Sequence, residues 1–184
     1  MKRTLLLVLV LCFALPAFAQ DKDKMEGKME GKMEGAHHEM PAALDNEIMM
    51  YFVGDWEGKM EGPMGTTEDK VNYQMGLDGQ FLLLQVESKM VDHTMKGMGA
   101  ITMDKDGNLK GYWIDNSRAM AEGAGTIEDN KLTIVWTMEQ GTYTRISEKV
   151  DDNTFSVVGK MEMADGSVME STGTFTRVKD MTNK

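Results

Sequence analysis

One cysteine, three prolines and three histidines are spread over 184 residues, and the strongly apolar stretch is confined to residues 5–15. Each scarcity removes a class of protein. Cys12 lies inside that stretch, so the remainder of the chain has no cysteine and no disulfide contributes to its stability. Leu11 stands before Cys12, where a lipoprotein signal has a small residue, and lipidation is not expected. The apolar stretch is about eleven residues, against the roughly twenty that a spanning helix needs. Basic residues are also short: 20 Lys and Arg face 30 Asp and Glu, a net charge of −10. Such a surface repels nucleic acid and anionic lipid head groups. There is no His-Glu pair at metalloprotease spacing, no Gly-x-Ser-x-Gly elbow and no glycine-rich phosphate loop ahead of a helix. No catalytic motif and no cofactor follow from the sequence.

What is present begins with Met1-Lys2-Arg3-Thr4, the apolar stretch, Pro16 and then Ala17-Phe18-Ala19. A basic segment, an apolar segment and an A-x-A site in that order predict a cleavable signal peptide over 1–19, with cleavage after Ala19 and a periplasmic or secreted mature chain. Cleavage removes Lys2 and Arg3 and takes the net charge from −10 to −12. The mature chain has no membrane span, and its length suits one domain with a real core.

Next comes Met25-Glu26-Gly27-Lys28, repeated through Met33-Glu34-Gly35. In a helix this period of four would stack Glu26 on Glu30 and Lys28 on Lys32, and would place a glycine in every turn at a cost of about 1 kcal/mol relative to alanine. Residues 20–40 therefore read as a disordered linker. After Pro41, the residues Leu44, Ile48, Tyr51 and Phe52 share one face of a short amphipathic helix.

From Trp56 the chain changes to short alternating runs separated by Gly, Asp and Asn, the signature of an all-β domain. Ten such runs fit as strands: 55–61, 67–75, 80–89, 95–103, 109–115, 119–128, 131–138, 142–149, 154–163 and 167–178. Between them lie tight-turn sequences such as Leu77-Asp78-Gly79 and Ala164-Asp165-Gly166. Leu132, Ile134, Trp136 and Met138 fall on one face, and Thr133, Val135 and Thr137 on the other. A flat sheet of this size leaves two exposed edges, so the meander is expected to close. The expected fold over 41–180 is an antiparallel up-and-down β-barrel of about eight to ten strands with a short N-terminal helix.

The segment Phe52-Val53-Gly54-Asp55-Trp56-Glu57-Gly58, a helix end followed by Gly-x-Trp-x-Gly on the first strand, resembles the opening of lipocalin-like barrels. Leu77-Asp78-Gly79-Gln80-Phe81-Leu82 and Gly111-Tyr112-Trp113-Ile114-Asp115-Asn116 resemble the bacterial family catalogued as domain of unknown function 1579. The resemblance spans about Leu44 to Val178. It implies an exported lipocalin-like barrel with no assigned activity, and it transfers no catalytic residue. Nitrobindins also open on Gly-x-Trp-x-Gly and hold haem iron with a late histidine; here no histidine follows His93, which argues against that use.

Three chemistries remain open. Trp56, Trp113 and Trp136 with Tyr112, Tyr143 and Phe81 are candidates to line a cavity for a small hydrophobic or amphipathic ligand, and an inward Arg145 or Arg118 would need a carboxylate partner or an anionic ligand. Trp113, Trp136, Tyr143, Arg145 and Phe81 are the pocket set on this reading, with Glu162 and Glu170 as possible partners of the arginines. Thioethers suit Cu(I) and imidazole suits copper or zinc, so His37, His38 and Met40, with Met25, Met29 and Met33, form a candidate metal site on the linker, and Met161 with Met163 a second pair. The 20 methionines also permit an oxidant sink or simple core filling. An enzyme would draw on Arg145, Glu170 and Tyr143 converging inside the barrel.

Overall fold

The structure, a computed structural model, describes residues 40–179. The signal segment, nearly all of the Met-Glu-Gly-Lys linker, and His37 and His38 lie outside the described residues. Within them the chain forms one helix, α1 (Glu47–Phe52), and ten strands: β1 (Gly54–Gly62), β2 (Gly65–Gly76), β3 (Phe81–Lys89), β4 (Thr94–Met103), β5 (Leu109–Asp115), β6 (Met120–Glu128), β7 (Lys131–Met138), β8 (Gly141–Asp151), β9 (Thr154–Met163) and β10 (Val168–Arg177). Every strand pairs antiparallel with its sequence neighbours, and β10 returns to pair with β1. The result is a closed, lipocalin-like up-and-down barrel with no free sheet edge.

At six residues α1 is far too short to hold itself in water. Asn46 starts it, its side-chain oxygen accepting the amides of Ile48 (3.0 Å) and Met49 (3.1 Å), and Glu47 places a negative charge at the positive end of the dipole. Its stability comes from below, where Ile48, Met49 and Phe52 are buried in the barrel end. Burying side chains of this kind is worth about 1.5–3 kcal/mol each. Leu44, expected on the helix, lies just before it, held by its amide on the Gly79 carbonyl (2.9 Å) and packed on the core.

The Gly-x-Trp-x-Gly sequence follows from packing at this closed end. Trp56 is buried, and its indole N–H donates to the Phe52 carbonyl at 2.7 Å, tying strand to helix. Gly54 turns the chain out of the helix with φ +129°, a conformation L side chains rarely adopt. Gly58 lies under the ring of Phe175: a Cβ there would sit 2.4 Å from the Thr174 carbonyl oxygen and 2.7 Å from that ring. From the far end of β10, Arg177 donates to the carbonyls of Val53 (2.6 Å) and Tyr51 (2.7 Å), with its guanidinium 4.1 Å from the Trp56 ring centroid. A cation thus satisfies carbonyls at the helix C-terminus, where the dipole is negative.

Above this lies an aromatic floor. Phe155 meets Phe52 and Trp56 edge-on at 5.1 and 4.8 Å between centroids, and stacks on Phe175 at 4.9 Å. Leu82, Leu109 and Val157 are buried in the same core. The outer face carries cross-strand pairs such as Lys70–Glu57 (3.0 Å) and Lys96–Glu87 (2.9 Å) that are exposed and contribute little each, alongside exposed apolar side chains such as Tyr112 and Met120.

Candidate functional site

Beyond the aromatic floor the interior stays open as a cavity of about 380 Å³. Inward-facing glycines make that space. Gly97 lies against the Trp113 ring and Gly123 against the Trp136 ring, so closely that a Cβ would fall 2.0 and 2.6 Å from ring atoms. The two indoles therefore lie flat along neighbouring strands, 6.2 Å apart, and form an apolar wall instead of plugging the barrel. Trp136 is only 6% exposed, while Trp113 is half-buried with its indole N–H directed at the Asp115 carboxylate (3.4 Å). Leu84, Val86, Ile101, Ala121, Leu132 and Ile134 extend this wall.

Polar groups sit among this lining, Tyr143 and Arg145 pairing across the strands with Trp136 and Ile134. Arg145 faces inward from β8 with its guanidinium 5.6 Å above the Phe175 ring, on top of the aromatic floor. It lies beside the hydroxyls of Tyr143 and Tyr73. Part of its surface is left uncovered by protein, because its open side faces the cavity. Burial works to discharge Arg145, but the nearby Tyr73 and Tyr143 oxygens and the Asp69 carboxylate outweigh it and hold the guanidinium charged. Burial likewise pushes the Tyr73 hydroxyl above its ordinary pKa, against the opposing pull of Arg145, so it is a neutral donor. Among the described residues no carboxylate oxygen comes within 4.0 Å of the Arg145 nitrogens.

Asp69, only 7% exposed, lines the same cavity from β2 and accepts the hydroxyls of Ser88 (2.6 Å) and Thr67 (2.7 Å). Both donors reach the same oxygen, Oδ1, and such bonds are the usual condition for keeping a polar group inside. Toward the mouth the lining turns to sulfur: Met64, Met90, Met95, Met138, Met161 and Met169 surround the opening, with Met60 deeper.

Of the residues singled out in the sequence, Trp113, Trp136, Tyr143 and Arg145 line one cavity. Phe81 does not. On β3 the even-numbered Leu82, Leu84, Val86 and Ser88 face inward, which puts Phe81 outside, paired across the strands with Gly76. Trp56 belongs to the closed-end core, and Tyr112 points outward at 64% exposure. Arg118 sits exposed in the β5–β6 turn with φ +69°. Glu162 pairs with Lys160 at 2.9 Å, and Glu170 stands at the cavity mouth. Met40 is 71% exposed, and its proposed companions His37 and His38 fall outside the described residues. Met161 lines the cavity, while Met163 does not. Among the described residues no three His, Cys, Asp or Glu side chains come together, and no helix is long and apolar enough to cross a membrane.

Sequence reasoning missed Asp69, Tyr73, Ser88 and the methionine lip. The signal was available for one of them: Thr67, Asp69, Val71 and Tyr73 alternate onto the inward face of β2, so an acid in that series is an acid inside.

No protein-family model matches this chain, and no curated protein matches it either. Solved structures do share its fold. The S-type phycobiliprotein lyase CPES of Guillardia theta matches with a TM-score of 0.57 and 13% identity, over 73% of this chain and 92% of that one. Rv2717c from M. tuberculosis matches with a TM-score of 0.58 and 12% identity, over 73% and 99%. At such identities the likeness shows the fold alone.

Proposed function

We propose that this barrel binds one small hydrophobic or amphipathic molecule in its upper cavity and acts as a carrier or receptor without catalysing a reaction. The observation that carries the reading is the division of the interior: buried aromatic side chains pack the closed end, while toward the other end glycines let two tryptophans lie back against the wall and a cavity remains. Packed interiors have few voids larger than a water molecule, so a cavity of about 380 Å³ is a feature to be explained, and it falls in the usual range for ligand sites. Its lining, mostly apolar with a few convergent polar groups, suits such a ligand. The groups around Arg145 supply a charge and hydrogen-bond donors that would orient a bound ligand. Export through the signal at 1–19 and kinship with the domain of unknown function 1579 family belong to the same proposal.

The test is a titration of the full chain with N-phenylnaphthylamine, a neutral apolar fluorophore, followed by displacement with dodecanol. Saturable binding of one probe per chain is expected, weakened about tenfold or more by Trp136→Ala, which removes a large buried contact. A probe signal that rises without saturation, or one indifferent to Trp136, would remove the proposal's basis.

A further inference from the structure

From the placement of Arg145 we infer that the ligand enters polar end first and that this end is a single negative charge, a carboxylate, seated on Arg145 between the hydroxyls of Tyr143 and Tyr73. The inference rests on the ligand-binding reading above and narrows it to a class of ligand: monoanionic amphiphiles with an unbranched or compact apolar body.

A guanidinium deep in an apolar cavity is costly unless something answers its charge. In this barrel the surrounding chain does so incompletely. Phe175 supports one face at 5.6 Å, and Tyr73 and Tyr143 flank it, but among the described residues no carboxylate reaches it within 4.0 Å. Asp69, the acid that shares the cavity, accepts Ser88 and Thr67 through Oδ1 and lies beyond 4.0 Å from the guanidinium nitrogens. The open side of Arg145 therefore faces the cavity with donors to spare. A guanidinium presents parallel N–H groups that match the two oxygens of a carboxylate, and charge-assisted bonds of this kind are the strong ones. The phenol hydroxyls of Tyr73 and Tyr143 add neutral donors on either side.

Asp69 sets the charge of the head group. Its carboxylate acts on Arg145 electrostatically and already offsets part of the positive charge, so the attraction left for a head group is enough for one negative charge and each added charge is repelled by Asp69. A singly charged carboxylate is thus preferred over a dianionic phosphate. The apolar body then runs from the floor past Trp113 and Trp136 to the methionine lip, whose unbranched, polarisable side chains adapt to different shapes.

The test compares three probes of one tail length, dodecanoate, dodecanol and dodecyl phosphate, in calorimetric titrations of the full chain at neutral pH. Dodecanoate is expected to bind roughly ten- to a hundredfold more tightly than dodecanol, the increment of hydrogen bonds to a charged group, and more tightly than dodecyl phosphate. Arg145→Met should bring dodecanoate to within a few-fold of dodecanol while dodecanol itself is retained, which also shows that the variant is folded. Tyr143→Phe, which keeps the ring and deletes only the hydroxyl, should weaken dodecanoate several-fold and leave dodecanol alone. Equal binding of dodecanoate and dodecanol by the unaltered protein would overturn the head-group assignment and leave the apolar cavity standing. Tighter binding of dodecyl phosphate would overturn the role given to Asp69. Binding of none of the three would overturn the cavity reading together with this one.

Discussion

Gly58→Ala isolates the packing argument at the closed end of the barrel. A methyl group at this position falls 2.4 Å from the Thr174 carbonyl oxygen and 2.7 Å from the Phe175 ring, both on the strand that closes the barrel. Neither neighbour has room to yield. Phe175 is fully buried, stacked on Phe155 below and covered by Arg145 above, and the carbonyl belongs to the β1–β10 ladder. Overpacking of this kind costs about 1–3 kcal/mol, and the backbone contact puts Gly58 at the upper end. Against that, alanine lowers the entropy of the unfolded chain, worth about 0.4–1 kcal/mol. The net loss is about 2 kcal/mol, which for a domain of this size lowers Tm by roughly 6–8 °C. Gly62→Ala is the matched control on the same inward face of β1, where the nearest atoms are the Ser171 Cβ at 3.0 Å and the Glu170 carbonyl oxygen at 3.3 Å, and should change Tm far less. Thermal unfolding followed by near-ultraviolet circular dichroism reads both variants. A Gly58→Ala protein as stable as the parent, or less affected than Gly62→Ala, would refute the reasoning.

Other consequences are equally open to measurement. Arg177→Met removes two hydrogen bonds to helix-end carbonyls and the contact with Trp56, and should cost roughly 2–3 kcal/mol; amide exchange should quicken in α1 before it does in the distal strands. Asp115 feels burial that works to raise its pKa, but bonds from the Ser117 hydroxyl and amide, the Ala119 amide and the Trp113 indole win and hold it below the usual carboxylate range. Its contribution to stability is therefore intact above about pH 4 and lost as pH falls through the depressed folded value, so Asp115→Asn should flatten the acid limb of a Tm-against-pH profile; parallel profiles would contradict this. Peroxide converts exposed thioethers to polar sulfoxides, and oxidation of the methionine lip should weaken a neutral apolar probe several-fold, reversibly on treatment with methionine sulfoxide reductase.

The barrel was legible in the chain because period-two alternation and turn residues mark nearly every strand. Leu109–Asp115, Lys131–Met138 and Thr154–Met163 run from the residue expected to the residue expected, and the remaining strands differ only at their ends. Closure followed from the cost of open edges. Inward parity is clear on β7, where Leu132, Ile134, Trp136 and Met138 alternate with threonine and valine, which puts Trp136 on an apolar face. It was hidden at the start of β3, where Phe81, Leu82, Leu83 and Leu84 are all apolar and no alternation distinguishes inside from outside. The floor of the cavity was harder still. Tyr73 and Arg145 are 72 positions apart, and their meeting depends on the relative stagger of strands that are not neighbours, which no local pattern records. The methionine lip was invisible for a related reason: its members come from the mouth ends of six strands and loops, and in sequence they are indistinguishable from the methionines that fill or flank other elements.

Methionine also supplies the most direct test of the central claim, that the open half of the barrel is a ligand site. With the methionine methyl groups labelled with carbon-13, an NMR titration with dodecanol reports from both sides of the wall at once. The account predicts shifts at Met60, Met90, Met95, Met138, Met161 and Met169, which line the cavity, and none at the exposed Met50, Met98 and Met120 on the outside. Shifts confined to the outer methionines, or no shifts at all, would contradict it.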